Sequence, residues 1–479
     1  MSRAKRQRPR GGPPRRFSTA HQPSAADAIF TAALRHSRAG RHDEAIVGYR
    51  RALEIDPLHF NAWANLGYSL RAGKRAEAAV VAGKRALEIE PGNANVLGNV
   101  GNALKDLDRL DESLAAHRAA VEREPGSERT HRNYAVALKA AGFLEEALAE
   151  FTKADEIRPG IAPVLFDKAL LLLHLARFRE GWEAFEIRWK LGELPVRPYR
   201  TPRWQGENFA GKRLLIYPEQ GFGDAILSSR FVPLAKERGG EVIFECKPET
   251  ARLLSSLEGV DRVVQTDTDP GDFDYHCPIM SLPGIFDANL DNLPPPPMLS
   301  VPQASVEKMR PLFAAHHARF KVGIVWSGSL TFKNNRLRST SLNRFLRFAE
   351  VPGVQLFSLQ KGPLESQLAG TGADAVVVDI GGKVDDFCDT AAAIQMLDLV
   401  IMTDSSVSHL TASLGKPIWN LLDYVPYWLY LRDREDSPWY PTMRLFRQTR
   451  AGDWDGVFER AVAALGDAVA AKREGRWPS

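Results

Sequence analysis

Two short stretches hold residue types that could do chemistry. The first is Glu219-Gln220-Gly221-Phe222-Gly223-Asp224. It follows the apolar run Arg213–Tyr217, which reads as a strand, and precedes a helical pattern from about Ala225 to Lys236. Gly221 and Gly223 suit a tight turn with close backbone approach. Asp224, at the helix start, reads either as an N-cap or as a carboxylate placed to take a proton. The second stretch is Asp404-Ser405-Ser406-Val407-Ser408-His409, after the apolar run Leu399–Thr403. Asp404 or Ser405 can cap the helix that begins there, and Gly415 can close it. The helix-terminal N–H groups, with the hydroxyls of Ser405, Ser406 and Ser408, then face a site suited to a diphosphate. His409, in the first turns, could donate to the same group.

Two more segments point at that site. Val325-Trp326-Ser327-Gly328-Ser329 ends a strand, and Lys333, Asn334, Arg336 and Arg338 follow it. Leu359-Gln360-Lys361-Gly362-Pro363 ends another. Basic residues in loops after strands can neutralise a nucleotide's charge. Two competing motifs are weaker. The Gly221-x-Gly223 pair with Glu245 imitates a dinucleotide fingerprint, but Ile226 stands where its third glycine belongs, and Asp224 would repel the pyrophosphate. Asp267-Thr268-Asp269 imitates a metal-diphosphate motif, but Asp272 and Asp274 crowd the same loop, which reads as solvated acid.

These residues need a frame of strands. The βαβ pattern of 213–217, 225–236 and 241–246 implies a parallel sheet. A second series of strands reads at 321–326, 354–359, 375–379, 399–403 and 417–421, with helical segments between. The stiff run Leu293–Pro297 separates the two series. Two such domains leave a cleft, and ligands of these sheets bind at the carboxyl ends of the strands.

The amino-terminal part has a different grammar. Pro57, Pro91, Pro125 and Pro159 are spaced by 34 residues, as are Ala52, Ala86, Ala120 and Ala154. This period resembles the tetratricopeptide repeat. Repeats fall near 26–59, 60–93, 94–127 and 128–161, with a degenerate fifth near 162–195. Each is a helical hairpin whose small residues sit at the close crossing and whose proline follows the second helix. Trp182, Phe185 and Trp189 form one stripe of the fifth repeat, which either caps the repeats with its own core or docks on the next domain.

Composition bounds the reading. The 479 residues are 44% hydrophobic and 25% charged, ordinary globular values. No apolar run reaches the ~18 residues of a membrane span, so a soluble chain is expected. Residues 1–16 carry seven positive charges and no acid, which leaves the remaining 463 at −3 against a chain total of +4. A nearly neutral body argues against a nucleic-acid partner, and the basic head reads as a disordered tail over 1–25. Three scattered cysteines, Cys246, Cys277 and Cys388, give no disulfide framework or metal spacing and fit a cytoplasmic chain.

The Gly223-Asp224 turn with Pro233, and Asp404-Ser405-Ser406-x-Ser408-His409-Leu410 with Gly415-Lys416-Pro417, resemble the bacterial lipopolysaccharide heptosyltransferases. Leu359-Gln-Lys-Gly362, Asp389-Thr390-Ala-Ala392 and Asp436-Ser-Pro-Trp-Tyr-Pro441 resemble a bacterial group in which tetratricopeptide repeats are fused to such a domain, similar in plan to the O-linked N-acetylglucosamine transferases. The sequence departs from the heptosyltransferases at Asn335, where Asp is frequent, and in its shorter segment of about 210–300. The resemblance implies an α-solenoid followed by an α/β GT-B glycosyltransferase of two Rossmann-like domains, over 196–300 and 320–479 and joined at 301–319. It implies Asp224 as catalytic base. Lys361, Ser405, Ser406 and His409, helped by Asp404, Ser408, Gln360, Gly328 and Arg338, would hold a nucleotide-sugar without metal or other cofactor. The repeats would hold a protein acceptor, flagellin-type by analogy with similar fused proteins. A non-enzymatic adaptor and a dinucleotide oxidoreductase are the alternatives.

Overall fold

A computed structural model describes residues 24–330, 332 and 335–478. Most of the expected basic tail, with Lys333 and Asn334, lies outside the described residues. The chain forms two compact units, divided between Arg123 and Glu124.

The first unit holds three helical hairpins: α1 (Ala25–Arg38) with α2 (His42–Ile55), α3 (Phe60–Ala72) with α4 (Ala76–Ile89), and α5 (Ala94–Asp106) with α6 (Leu110–Arg123). A capping box starts α1: the Ser24 hydroxyl accepts from the Asp27 N–H and the Asp27 carboxylate from the Ser24 N–H, each at 3.1 Å. Small residues set the helix spacing. A Cβ at Gly83 would lie 2.3 Å from Val100 Cγ2, so α4 meets α5 only because position 83 has no side chain. Ala52, Ala86 and Ala120 are fully buried at the crossings.

Two further hairpins open the second unit: α7 (Glu128–Ala140) with α8 (Leu144–Ile157), and α9 (Ala162–His174) with the short α10 (Phe178–Phe185). They pack with the sheets that follow rather than forming a body apart. Trp182 meets Trp428 edge to face, with ring centroids 5.3 Å apart, and its indole N–H donates to the Ala288 carbonyl at 2.9 Å. Phe178 meets Trp439 at 6.4 Å. Of the predicted stripe, Trp182 and Phe185 therefore join one continuous core with Leu214, Ile216, Phe244 and Trp428. Trp189 instead stacks beside Arg188 and Arg203.

The first sheet contains β1 (Arg213–Tyr217), β2 (Glu241–Cys246), β3 (Arg262–Gln265) and β4 (Tyr275–Pro278), in the order β3-β2-β1-β4 and parallel throughout. The second contains β5 (Phe320–Val325), β6 (Val354–Ser358), β7 (Val377–Asp379), β8 (Leu399–Thr403), β9 (Ile418–Leu422), β10 (Asp436–Ser437) and β11 (Tyr440–Arg447). Its order is β10-β11-β9-β8-β5-β6-β7, with β10 alone antiparallel. From β5 to β9 and β11 this is the doubly wound order. Strand order reverses between β1 and β4, and again between β5 and β8, which leaves a crevice at the carboxyl end of each sheet. β4, β10, β11 and the final helix Trp454–Arg473 are absent from the sequence reading. β4 has only four residues, and Pro441 disguises β11. Among the described residues no helix is long and apolar enough to cross a membrane.

Candidate functional site

The site forms where the two crevices meet. The turn after β1 feeds a helix α11 (Phe222–Ser228), and the turn after β8 feeds the helix Ser406–Ser413. The two helices abut: a Cβ on Gly223 would lie 2.8 Å from His409 Cδ2 and 3.5 Å from the Ser406 Cα. Gly221 has φ −78° and Gly223 also avoids positive φ, so neither adopts a left-handed conformation. Gly223 is needed for the close approach.

Asp224 is not the N-cap. Gly221 holds that place, and Asp224, three residues on, accepts the Gly221 N–H at 3.1 Å through Oδ2. Burial pushes the Asp224 carboxyl up to about 6; the charge of Asp404 adds to the rise, while the Gly221 N–H and Arg338 oppose it. Such a carboxylate is ionised at neutral pH yet basic enough to take a proton.

Across the crevice, Asp404 accepts the Tyr430 hydroxyl at 2.6 Å and lies 3.4 Å from Arg338 Nη1. Ser405 is the N-cap in extended conformation, without a side-chain cap bond, and Ser405 and Ser406 are half-buried. Ser408 corrects the expectation: it is fully buried and its hydroxyl donates to the Ser405 carbonyl at 2.7 Å, so it does not face the crevice. His409 is buried, 3.1 Å from the Tyr440 hydroxyl through Nδ1, and burial pushes its pKa down to about 4. It offers a neutral N–H rather than a charge. Gly415, at φ +70°, follows the helix as expected.

The two remaining loops divide. Gln360 Oε1 accepts the N–H groups of Trp326 and Ser327 at 3.2 and 3.1 Å, and its Nε2 donates to the Ser327 and Lys361 carbonyls at 3.1 Å each. That spends all its hydrogen-bonding capacity, so Gln360 braces the loop and has nothing left for a ligand. Lys361 Nζ donates to the Gly381 carbonyl at 2.9 Å and lies 3.9 Å from Glu365, so here its ammonium is engaged by protein. Among the described residues, Arg338 is a cation that does reach the site. Its guanidinium lies over Gly328, where a Cβ would come within 2.8 Å of Nη2, and 4.1 Å from the Phe332 ring centroid. Arg338 Nε is buried without a partner among the described residues.

Sequence reasoning missed Asp423, Tyr430, Tyr440 and Arg230. Asp423 ends β9 as Asp404 ends β8, so the strand-end rule could have found it. Burial, with the charge of Asp404, pushes it up to about 8, which leaves it protonated at neutral pH. The competing motifs are accounted for. Glu245 is paired with Arg197, and Asp269 accepts the Gly271 N–H at 2.9 Å within its own loop. Among the described residues no group of three or more His, Cys, Asp or Glu stands together as a metal-ligand set. Two open grooves, of about 620 and 680 Å³, lie elsewhere: one over Leu148, Thr152 and Leu175, the other at the amino ends of β1 and β2.

No protein-family model matches the chain. Protein FlbA of Caulobacter vibrioides is 31% identical over 348 residues, which are 65% of this chain and 56% of FlbA. The chain thus spans about half the length of the curated relative it matches. Among solved structures, MamA from Desulfovibrio magneticus RS-1 is 18% identical with a TM-score of 0.31, covering 36% of this chain and 94% of MamA. PilF of Pseudomonas aeruginosa is 24% identical with a TM-score of 0.33, covering 35% of this chain and 77% of PilF. The helical-repeat assignment stands on the chain's own ten helices and their 34-residue period.

Proposed function

We propose that the chain is a GT-B-type glycosyltransferase that moves a sugar from a nucleotide-sugar to a protein acceptor. The observation that carries this reading is the apposition of the two crevices, which sets Asp224 beside the amino end of the helix Ser406–Ser413. The donor diphosphate would lie at that helix end, bound by backbone N–H groups, Ser405, Ser406, Arg338 and the His409 imidazole. These groups would take the place of a metal. Asp224 would remove the proton of an acceptor hydroxyl as its oxygen bonds to the anomeric carbon. The bond from that carbon to the diphosphate breaks on the opposite face, and the nucleoside diphosphate leaves with the electron pair, inverting the sugar. Lys361 would join the donor only by leaving Gly381. The repeats, which carry no such chemistry, would present the acceptor.

Asp224→Asn tests the base. Its amide oxygen can still accept the Gly221 N–H, so the fold and donor affinity should persist, whereas transfer should fall by about 10²–10⁴-fold. Transfer at the wild-type rate would reduce Asp224 to a helix-end residue. Calorimetry of nucleoside diphosphate binding, with and without chelator, tests the donor site: binding that requires a divalent cation would remove the metal-free reading.

A further inference from the structure

Arg230 is a buried cation that the donor site as described does not use. It follows α11, is 2% exposed, and has no carboxylate within ion-pair distance among the described residues. Its Nε donates to the Leu227 carbonyl at 3.0 Å, and Nη1 to the carbonyls of Trp439 at 2.9 Å and Pro294 at 3.3 Å. Nη2 finds no partner among the described residues. Burying a guanidinium without a counter-ion is costly, so packing alone is a poor reason for it. The cation lies 4.8 Å from the centroid of the Tyr440 ring, and the Tyr440 hydroxyl lies 3.1 Å from His409 Nδ1. The other edge of that imidazole, Cδ2 and Nε2, lies against Gly223, one residue from Asp224.

The order of these groups decides where hydrogen sits. A hydroxyl whose oxygen is drawn to a cation, as that of Tyr440 is to Arg230, turns its hydrogen away, and the groups on that side are His409 Nδ1 and the Ser413 hydroxyl. A ring nitrogen that accepts leaves the single hydrogen of a neutral imidazole on the other nitrogen. Burial first of all opposes protonation of His409, and the charges of Arg230 and Arg338 add to it against that of Asp404, which favours it. We propose that Arg230 and Tyr440 are positioning residues that hold His409 as the neutral tautomer with its hydrogen on Nε2, facing the crevice as a donor to an anion. The anion is the donor diphosphate of the preceding reading, on which the purpose of this device rests.

The tautomer can be read without any donor. In the full-length chain at neutral pH, the ring ¹⁵N shifts of His409, identified by their loss in His409→Asn, should show hydrogen on Nε2. Tyr440→Phe keeps the ring beside Arg230 and removes only the hydroxyl. It should spread the hydrogen over both nitrogens and weaken binding of inorganic pyrophosphate about tenfold, with little change in melting temperature. Arg230→Lys keeps the charge and should retain the wild-type signature. Hydrogen on Nδ1 in the wild type, or a Tyr440→Phe chain with unchanged signature and affinity, would overturn the inference. A wild-type chain with hydrogen on Nε2 that binds no pyrophosphate would support the tautomer relay and overturn the donor reading alone.

Discussion

At the scale of single residues, the site is governed by how burial moves protons. Asp224 and His409, on the two abutting helices, are shifted in opposite directions, because burial favours the neutral form of each. The acid becomes a better base and the imidazole a neutral donor. If Asp224 is the base, kcat/KM for transfer should fall tenfold per pH unit below about 6, where its carboxylate protonates. The fold should not be lost through this group. Its folded pKa lies above its unfolded one, so protonation between about 4 and 6 favours the folded chain. His409 acts the other way, since its depressed pKa makes the folded chain lose stability as pH falls from 6.5 towards 4. A pH–rate profile with circular dichroism at each point checks this. An acid limb near 4, with the fold intact, would show that the base is not a carboxylate raised to about 6.

At the scale of elements, the contact between α11 and the helix Ser406–Ser413 is the joint on which everything rests. Replacing Gly223 by alanine would ordinarily stabilise a helix by ~0.5–1 kcal/mol. Here the new methyl would meet His409, which is buried and held by Tyr440, and overpacking costs ~1–3 kcal/mol. The second effect should win, so Gly223→Ala should lower the unfolding free energy by a net ~1 kcal/mol, read as a lower urea midpoint, and weaken diphosphate binding with it. An unchanged or raised midpoint would mean that the two helices part freely. The sequence placed both helix starts within a few residues, from strand-end aspartates and glycines. It expected close backbone approach at the glycines but not the neighbour, which at Gly223 is the His409 imidazole from a helix far along the chain.

At the scale of the whole molecule, the repeats are divided between the two compact units. The period of 34 residues runs unbroken through Pro125 and Pro159, yet α9 and α10 pack with the segments of the sheet domains through Trp182, Phe178 and His174, whose Nε2 lies 3.2 Å from the Leu431 carbonyl. Truncation should follow that division. A chain of residues 124–479 should be soluble and bind donor diphosphate as the full chain does. One of residues 196–479 should aggregate, because Trp428, Trp439 and the Leu431 carbonyl lose their cover. Expression and size-exclusion chromatography check both, and a well-behaved 196–479 chain would show the docking of α9 and α10 to be dispensable.

The sequence alone determined the elements whose cause is local. Helical hairpins follow from a repeated spacing of small residues and prolines, and parallel strands from apolar runs ended by glycine, aspartate and serine. Both signals lie within a few tens of residues. Which side chains face the crevice was decided only in three dimensions. Ser408 turns to its own helix, Gln360 to the backbone of the β5 loop and Lys361 to Gly381, while Tyr430, Tyr440 and Arg230 arrive from remote segments. A polar side chain satisfies its hydrogen bonds with whatever the fold brings near. Partners distant along the chain leave no periodic trace in it.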